Sequence, residues 1–96
     1  MDHNPLRSLT LMVASHSAPF VDTWSSVLDT AGSILARALH KSVFAVIADR
    51  DVDPRIVERA VELNVPVVNS EWAAQCLINW RLVSLNQSCY KLKCLN

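Results

Sequence analysis

The sequence predicts an α/β domain built on a parallel sheet with helices on both faces, and three observations carry that prediction. Residues 43–48 (VFAVIA) form a continuous rather than alternating apolar run, the pattern of a strand buried on both sides. Residues 65–68 (VPVV) meet two capping-type residues, Asn69 and Ser70, and pass directly into a helical pattern in which Trp72, Cys76 and Trp80 recur at four-residue spacing. Finally, helical stretches alternate with short strands in the order β-α-β-β-α-β-α, which favours parallel pairing with right-handed crossovers.

At 96 residues the chain is one domain, and 51% apolar residues argue for a packed core rather than a disordered tail. Nine Lys/Arg balance nine Asp/Glu, so no bulk charge draws the chain to nucleic acid or an anionic membrane. Cys76, Cys89 and Cys94 are an odd set without a C-x-x-C pair, as expected of free thiols in a reducing compartment. No apolar run is long enough to span a bilayer.

Residues 1–8 are polar and contain Pro5; they read as a linker or lead-in, with the domain itself at 9–96. Residues 9–14 (LTLMVA) are the first strand and 15–17 its exit loop. Pro19 should open the first helix at its first position, with Ala18 extended before it. Phe20, Trp24, Val27, Leu28 and Ala31 then form the apolar face, and Gly32, the chain's single glycine, should supply a left-handed C-terminal cap. Residues 33–38 (SILARA) are a less apolar second strand and a candidate edge. Residues 39–42 link it to the central run, a length compatible with either a hairpin or a crossover. Asp53 caps the second helix and Pro54 takes its first position. Ile56, Val57, Ala60, Val61 and Leu63 should face inward, while Arg55/Glu58 and Arg59/Glu62 pair on the solvent side. Asn64 can close this helix, and Pro66 prevents its continuation. Beyond Trp80, residues 81–84 read as a brief extended piece, 85–88 as a turn and 89–96 as a short tail.

Catalytic signatures fall short. The loop after the first strand (ASHSAP) lacks the glycines that let a backbone approach a nucleotide phosphate. Ser15, His16 and Ser17 adjoin one another, but a nucleophile needs a registered base and an orienting acid, and a polar loop explains them better. Cys76 has no phosphate-cradling loop after it. Asp49, Asp51 and Asp53 alternate as acids do in magnesium-dependent receiver domains, yet turn and cap roles account for them, and the last strand offers no Lys. His3, His16 and His40 show no ligand spacing. No cofactor and no metal are expected.

The element order, Gly32 after the first helix, and above all the run VVNSEWAAQCLI resemble a BRCT domain, whose third helix carries a Trp after an extended entry; Trp72 matches that Trp. The segment NPLRSLTLMVAS and the pair Trp24-Ser25 are further similar to the second repeat of tandem BRCT pairs in DNA-damage checkpoint mediators. The resemblance covers about residues 4 to 92. It implies a four-stranded parallel sheet of order 2-1-3-4, with the first and third helices on one face and the second on the other. It implies a nuclear, non-enzymatic interaction module of damage signalling and repair. In tandem pairs the first repeat normally holds the phosphate of a phosphoserine ligand, and the second packs against it through its first and third helices. The partners so implied are an upstream repeat and, through the pair, a phosphoprotein such as a phosphorylated histone tail. Direct nucleic-acid contact and a membrane are not implied.

Phosphate-binding repeats carry Ser or Thr then Gly after the first strand, and a Lys opening the second helix. Here Ser15 matches the hydroxyl, His16 stands in place of Gly, and the Lys position falls near Ile56 with Arg55 one residue off. The pocket is therefore expected to be vestigial. Pro19 and Phe20 lie where second repeats line an auxiliary pocket, although a helix start with a core Phe explains them equally. Trp80 is a candidate for a docking strip, since three Trp are many for so small a core. Trp72 and Gly32 read as fold determinants. The alternatives are a stand-alone or homodimerising BRCT scaffold in a DNA repair protein and, distantly, a receiver-like domain.

Overall fold

The structure, a computed structural model, describes residues 5–82. It contains β1 (Thr10–Ala14), α1 (Ala18–Thr30), β2 (Ile34–Leu35), β3 (Ala45–Ala48), α2 (Pro54–Glu62), β4 (Val67–Val68) and α3 (Ser70–Asn79). The expectations for His3, for residues 83–96 and for Cys89 and Cys94 among them lie outside the described residues.

The four strands form one parallel sheet of order β2-β1-β3-β4. β1 lies between β2 and β3, so the link between those two is a crossover, not a hairpin. The longest pairing joins β1 to β3, from Leu11↔Ala45 to Ala14↔Ala48. All four β3 residues are buried, as its unbroken apolar run requires, and successive side chains enter opposite layers. Ala45 and Ile47 join Leu11, Leu28, Val68, Trp72, Ala73 and Cys76 beneath α1 and α3. Val46 and Ala48 join Ala14, Val52, Ala60 and Val65 beneath α2. Trp72 is the largest fully buried side chain, and its ring meets that of Phe44 at 6.2 Å between centroids, tilted by 34°.

Polar residues fix where the helices begin. Asn69 is extended and its side-chain oxygen accepts the Trp72 N–H at 3.3 Å, so the cap orients the residue that fills the core. Ser17, not Ala18, is the extended residue before α1, and its Oγ accepts the Phe20 N–H. Ala18 is already helical and Pro19 follows at the second position, where its missing N–H is still not needed.

Left-handed residues fix where the helices end. Gly32 takes φ +86°, donates to the Asp29 carbonyl and leaves Ser33 N–H to reach Leu28 C=O, each at 3.0 Å. Asn64 at φ +59° repeats the motif for α2, with Asn64 N–H on Val61 C=O and Val65 N–H on Ala60 C=O. Trp80 is also left-handed, at φ 52°, an unfavourable conformation for so bulky a residue.

The segment expected to be a lead-in packs on the domain. Leu6 is fully buried in the α1/α3 core, Ser33 Oγ donates to its carbonyl at 2.7 Å, and Ser8 N–H donates to Gly32 C=O at 3.0 Å. Three further expectations are corrected. β2 spans two residues rather than six, because only Ile34 and Leu35 stay in register with β1. Val61 is 70% exposed. Arg55 pairs with Asp53 instead of Glu58, because the cap carboxylate already lies beside its guanidinium; Arg59 does pair with Glu62, at 3.0 Å.

Candidate functional site

In parallel sheets, ligands favour the crevice at the carboxyl ends of two neighbouring strands whose following helices lie on opposite faces. Here those strands are β1 and β3: β1 leads into α1 on one face and β3 into α2 on the other. Ser15, His16 and Ser17 leave β1 at this point, and residues 49–53 carry the chain from β3 to the Asp53 cap and Arg55. The crossing thus brings Ser15, His16, Asp53 and Arg55 to one end of the sheet.

The protein's own groups occupy that crevice. The His16 N–H, which would face an anion, donates to the Asp51 carbonyl at 2.9 Å and ties the two loops together. Ser15 Oγ accepts the Ser17 N–H at 2.9 Å. The first backbone amides of α2 are all taken: Pro54 has no N–H, Arg55 N–H goes to Asp53 Oδ1 at 2.9 Å, and the N–H groups of Ile56 and Val57 both reach Asp53 C=O. The Asp53 carboxyl is held below its ordinary pKa, first by that backbone N–H and then by the Arg55 side chain. A carboxylate therefore sits where helix geometry would otherwise favour a phosphate. Arg55 turns back on this carboxylate at 3.3 Å while remaining largely in solvent, an arrangement worth little energy but enough to commit the cation locally.

Among the described residues, the groups that suggested hydrolytic or metal chemistry have structural roles. The Ser15 and Ser17 hydroxyls act as loop and helix-cap acceptors, and neither has a hydrogen-bonded base. Asp49 Oδ1 accepts the Asp51 N–H at 2.9 Å, a turn role for two of the acids that suggested a receiver. Among the described residues no group of three or more His, Cys, Asp or Glu is placed to hold a metal. Cys76 is a buried free thiol, and no described helix is long and apolar enough to cross a membrane.

The other candidate residues divide. Pro19 is exposed at the first turn of α1, and Phe20, half-buried, packs against the α1/α3 core. Trp80 is 51% exposed, because α3 stops at Asn79 and the left-handed turn takes the ring off the Trp72–Cys76 stripe. Helices following parallel strands begin at one end of the sheet and finish at the other, so Pro19 and Trp80 lie at opposite ends of the helical layer. Ile78 and Leu82, at 72% and 46% exposed, stand near Trp80 in sequence and were not singled out by sequence reasoning. Ile78 carried a signal nonetheless: six residues after Trp72, it falls on the opposite side of the helix. The tie between His16 and Asp51 left no signal, since a backbone carbonyl has no side-chain signature.

Several solved structures share this architecture. Rad4 BRCT1,2 in complex with a Crb2 phosphopeptide superposes with a TM-score of 0.81 at 18% identity, covering 94% of this chain and 48% of that one. S. pombe Rad4 BRCT3,4 gives 0.71 at 14% identity, over 92% and 49%. The C-terminal BRCT domain of human XRCC1 gives 0.69 at 16% identity, over 93% of both chains. The present chain thus spans about half the length of the Rad4 structures it matches. At such identities the likeness is one of fold. The sequence adds the rest: the family model of the BRCA1 C Terminus (BRCT) domain matches residues 4–93. With that match over nearly the whole chain, and with the sheet order and helix placement described above, this protein belongs to the BRCT domain family.

Proposed function

We propose that this BRCT domain is a nuclear, non-catalytic interaction module of DNA-damage checkpoint and repair signalling, serving as the second half of a tandem phosphopeptide reader without holding the phosphate itself. Support for the tandem role comes from the similarity of NPLRSLTLMVAS and VVNSEWAAQCLI to the second repeat of tumour suppressor p53-binding protein 1 and related mediators. The observation that carries the phosphate argument is the internally satisfied start of α2, with Asp53 in the anion position and His16 N–H given to Asp51. An incoming phosphate would have to displace a carboxylate and break that tie, with no Lys to compensate. The ligand of the pair, a phosphorylated histone tail or comparable phosphoprotein, would be anchored by the upstream repeat. The domain boundary then falls ahead of residue 5, since Leu6 is core.

A phosphopeptide titration tests this by calorimetry. The isolated chain should bind a phosphoserine peptide no better than its unphosphorylated twin, whereas a covalent pair with an upstream repeat should discriminate. Micromolar, phosphate-dependent binding by the isolated chain would refute the vestigial pocket.

The exposed Ile78, Trp80 and Leu82 also favour a second reading, a homodimerising scaffold. Sedimentation separates the two. A monomer that associates with an upstream repeat supports the tandem; a dimer abolished by Trp80→Ser supports the scaffold.

A further inference from the structure

Among the described residues β2 is an edge strand, with β1 on one side and no strand on the other. Ile34 N–H donates to Leu9 C=O at 2.8 Å and Ala36 N–H to Leu11 C=O at 2.9 Å. The alternation of a parallel ladder therefore turns the N–H and C=O of Leu35, between them, away from β1 toward the open edge. Ile34 is 54% exposed beside these groups.

The charges around this edge share one sign. No acid occurs between Asp29 and Asp49, whereas Arg37, His40 and Lys41 fall in that interval. Arg7 comes to the other end of the strand: a Cβ placed on Gly32 would lie 3.2 Å from its Cγ. Arg7, Arg37 and Lys41 are all exposed, and the described ion pairs involve Arg55 and Arg59 instead. Cations thus stand before and after the two-residue strand, with the exposed Ile34 between them.

We propose that the β2 edge accepts an extended, acidic segment of a partner protein as a fifth strand of the sheet. The Leu35 N–H and C=O would supply the ladder, Ile34 an apolar contact on alternate side chains, and Arg7 and Arg37 the pairing with carboxylates at the two ends. A cation on a free edge also discourages self-pairing, since two copies of this strand would oppose like charges. That repulsion makes the edge selective: it rejects its own kind and admits an acidic strand. The proposal is independent of the phosphate argument, because it uses another edge of the molecule and a ligand without phosphate.

The test is an NMR titration of the isotope-labelled full chain with the capped peptide Glu-Glu-Val-Val-Val-Glu-Glu. Shifts should concentrate at Arg7 and residues 33–38, with slowed exchange of the Leu35 amide. Arg37→Glu should weaken binding about tenfold, and a Lys-flanked peptide should bind that variant better than the parent. Ile34→Ser, at an exposed position, should weaken binding without altering the spectrum elsewhere. The proposal is overturned if shifts fall on α1 or α3, or if an acidic Ser/Gly peptide binds equally well. Displacement of the peptide by a duplex oligonucleotide at equal concentration would likewise reassign these cations to nucleic acid.

Discussion

Truncating Trp72 to Ala tests whether this residue is the packing centre of the domain or a surface for a ligand. The side chain is fully buried beneath α1 and α3, against Phe44. A tryptophan of this kind withdraws about 200 Å² from water, which at about 25 cal/mol per Å² gives roughly 5 kcal/mol. The Cβ that alanine keeps, and partial collapse of the site, reduce this, so the expected loss is about 3–5 kcal/mol. A domain of 96 residues has roughly 5–14 kcal/mol to lose. Urea unfolding followed by far-ultraviolet circular dichroism, which does not depend on the deleted fluorophore, reads the change directly. The midpoint should fall by about 2–5 M at a slope of about 1–1.5 kcal/mol per molar. Trp72→Phe, which refills part of the volume, should recover much of it. If Trp72→Ala lost less than about 1 kcal/mol while partner binding disappeared, the packing assignment would be wrong.

Two other outcomes follow from the structure, beside the titrations above. Asp53 has a folded-state pKa below its ordinary 3.8, so its contribution is present above that value and lost as pH falls through the lower one. Asp53→Asn, which keeps an acceptor but not the charge, should lower the melting temperature near neutrality, and the difference from the parent should vanish only once the pH is below the lowered folded-state pKa. Leu6→Ala should destabilise the domain by about 2–5 kcal/mol in thermal or urea melts, a cost expected of a core leucine and not of a linker residue.

The features readable from sequence were those governed by local chemistry. The unbroken run of β3 announced a central parallel strand, and Asp53, Asn69, Gly32 and Asn64 announced helix ends because their side chains or backbone freedom act within four residues. Features set by distant partners were not readable. Leu6 follows a proline and belongs to no periodic stretch; its burial depends on the Gly32 turn arriving beside it. Trp80 shares the four-residue spacing of Trp72 and Cys76 and was a docking-strip candidate only because Trp is abundant; the reason its ring is exposed, that α3 ends one residue earlier, was not readable. The candidate pocket was legible as residue types, a hydroxyl at Ser15 and a cation at Arg55. Its occupancy was not, because the decisive contact is a carbonyl at Asp51 meeting an amide at His16 across the sheet.

The β1–β3 pairing has a kinetic consequence. These central strands are separated in sequence by α1 and β2, and neither β1-α1-β2 nor β3-α2-β4-α3 holds the sheet's middle by itself. Little is gained until a long loop has closed, so early local structure is weakly rewarded and folding waits on one long-range encounter. The same wiring makes the domain all-or-none. A nick in the exposed turn at residues 40–42 would leave two fragments whose best remaining partners are each other, and folded structure restored on mixing them would report that central seam alone.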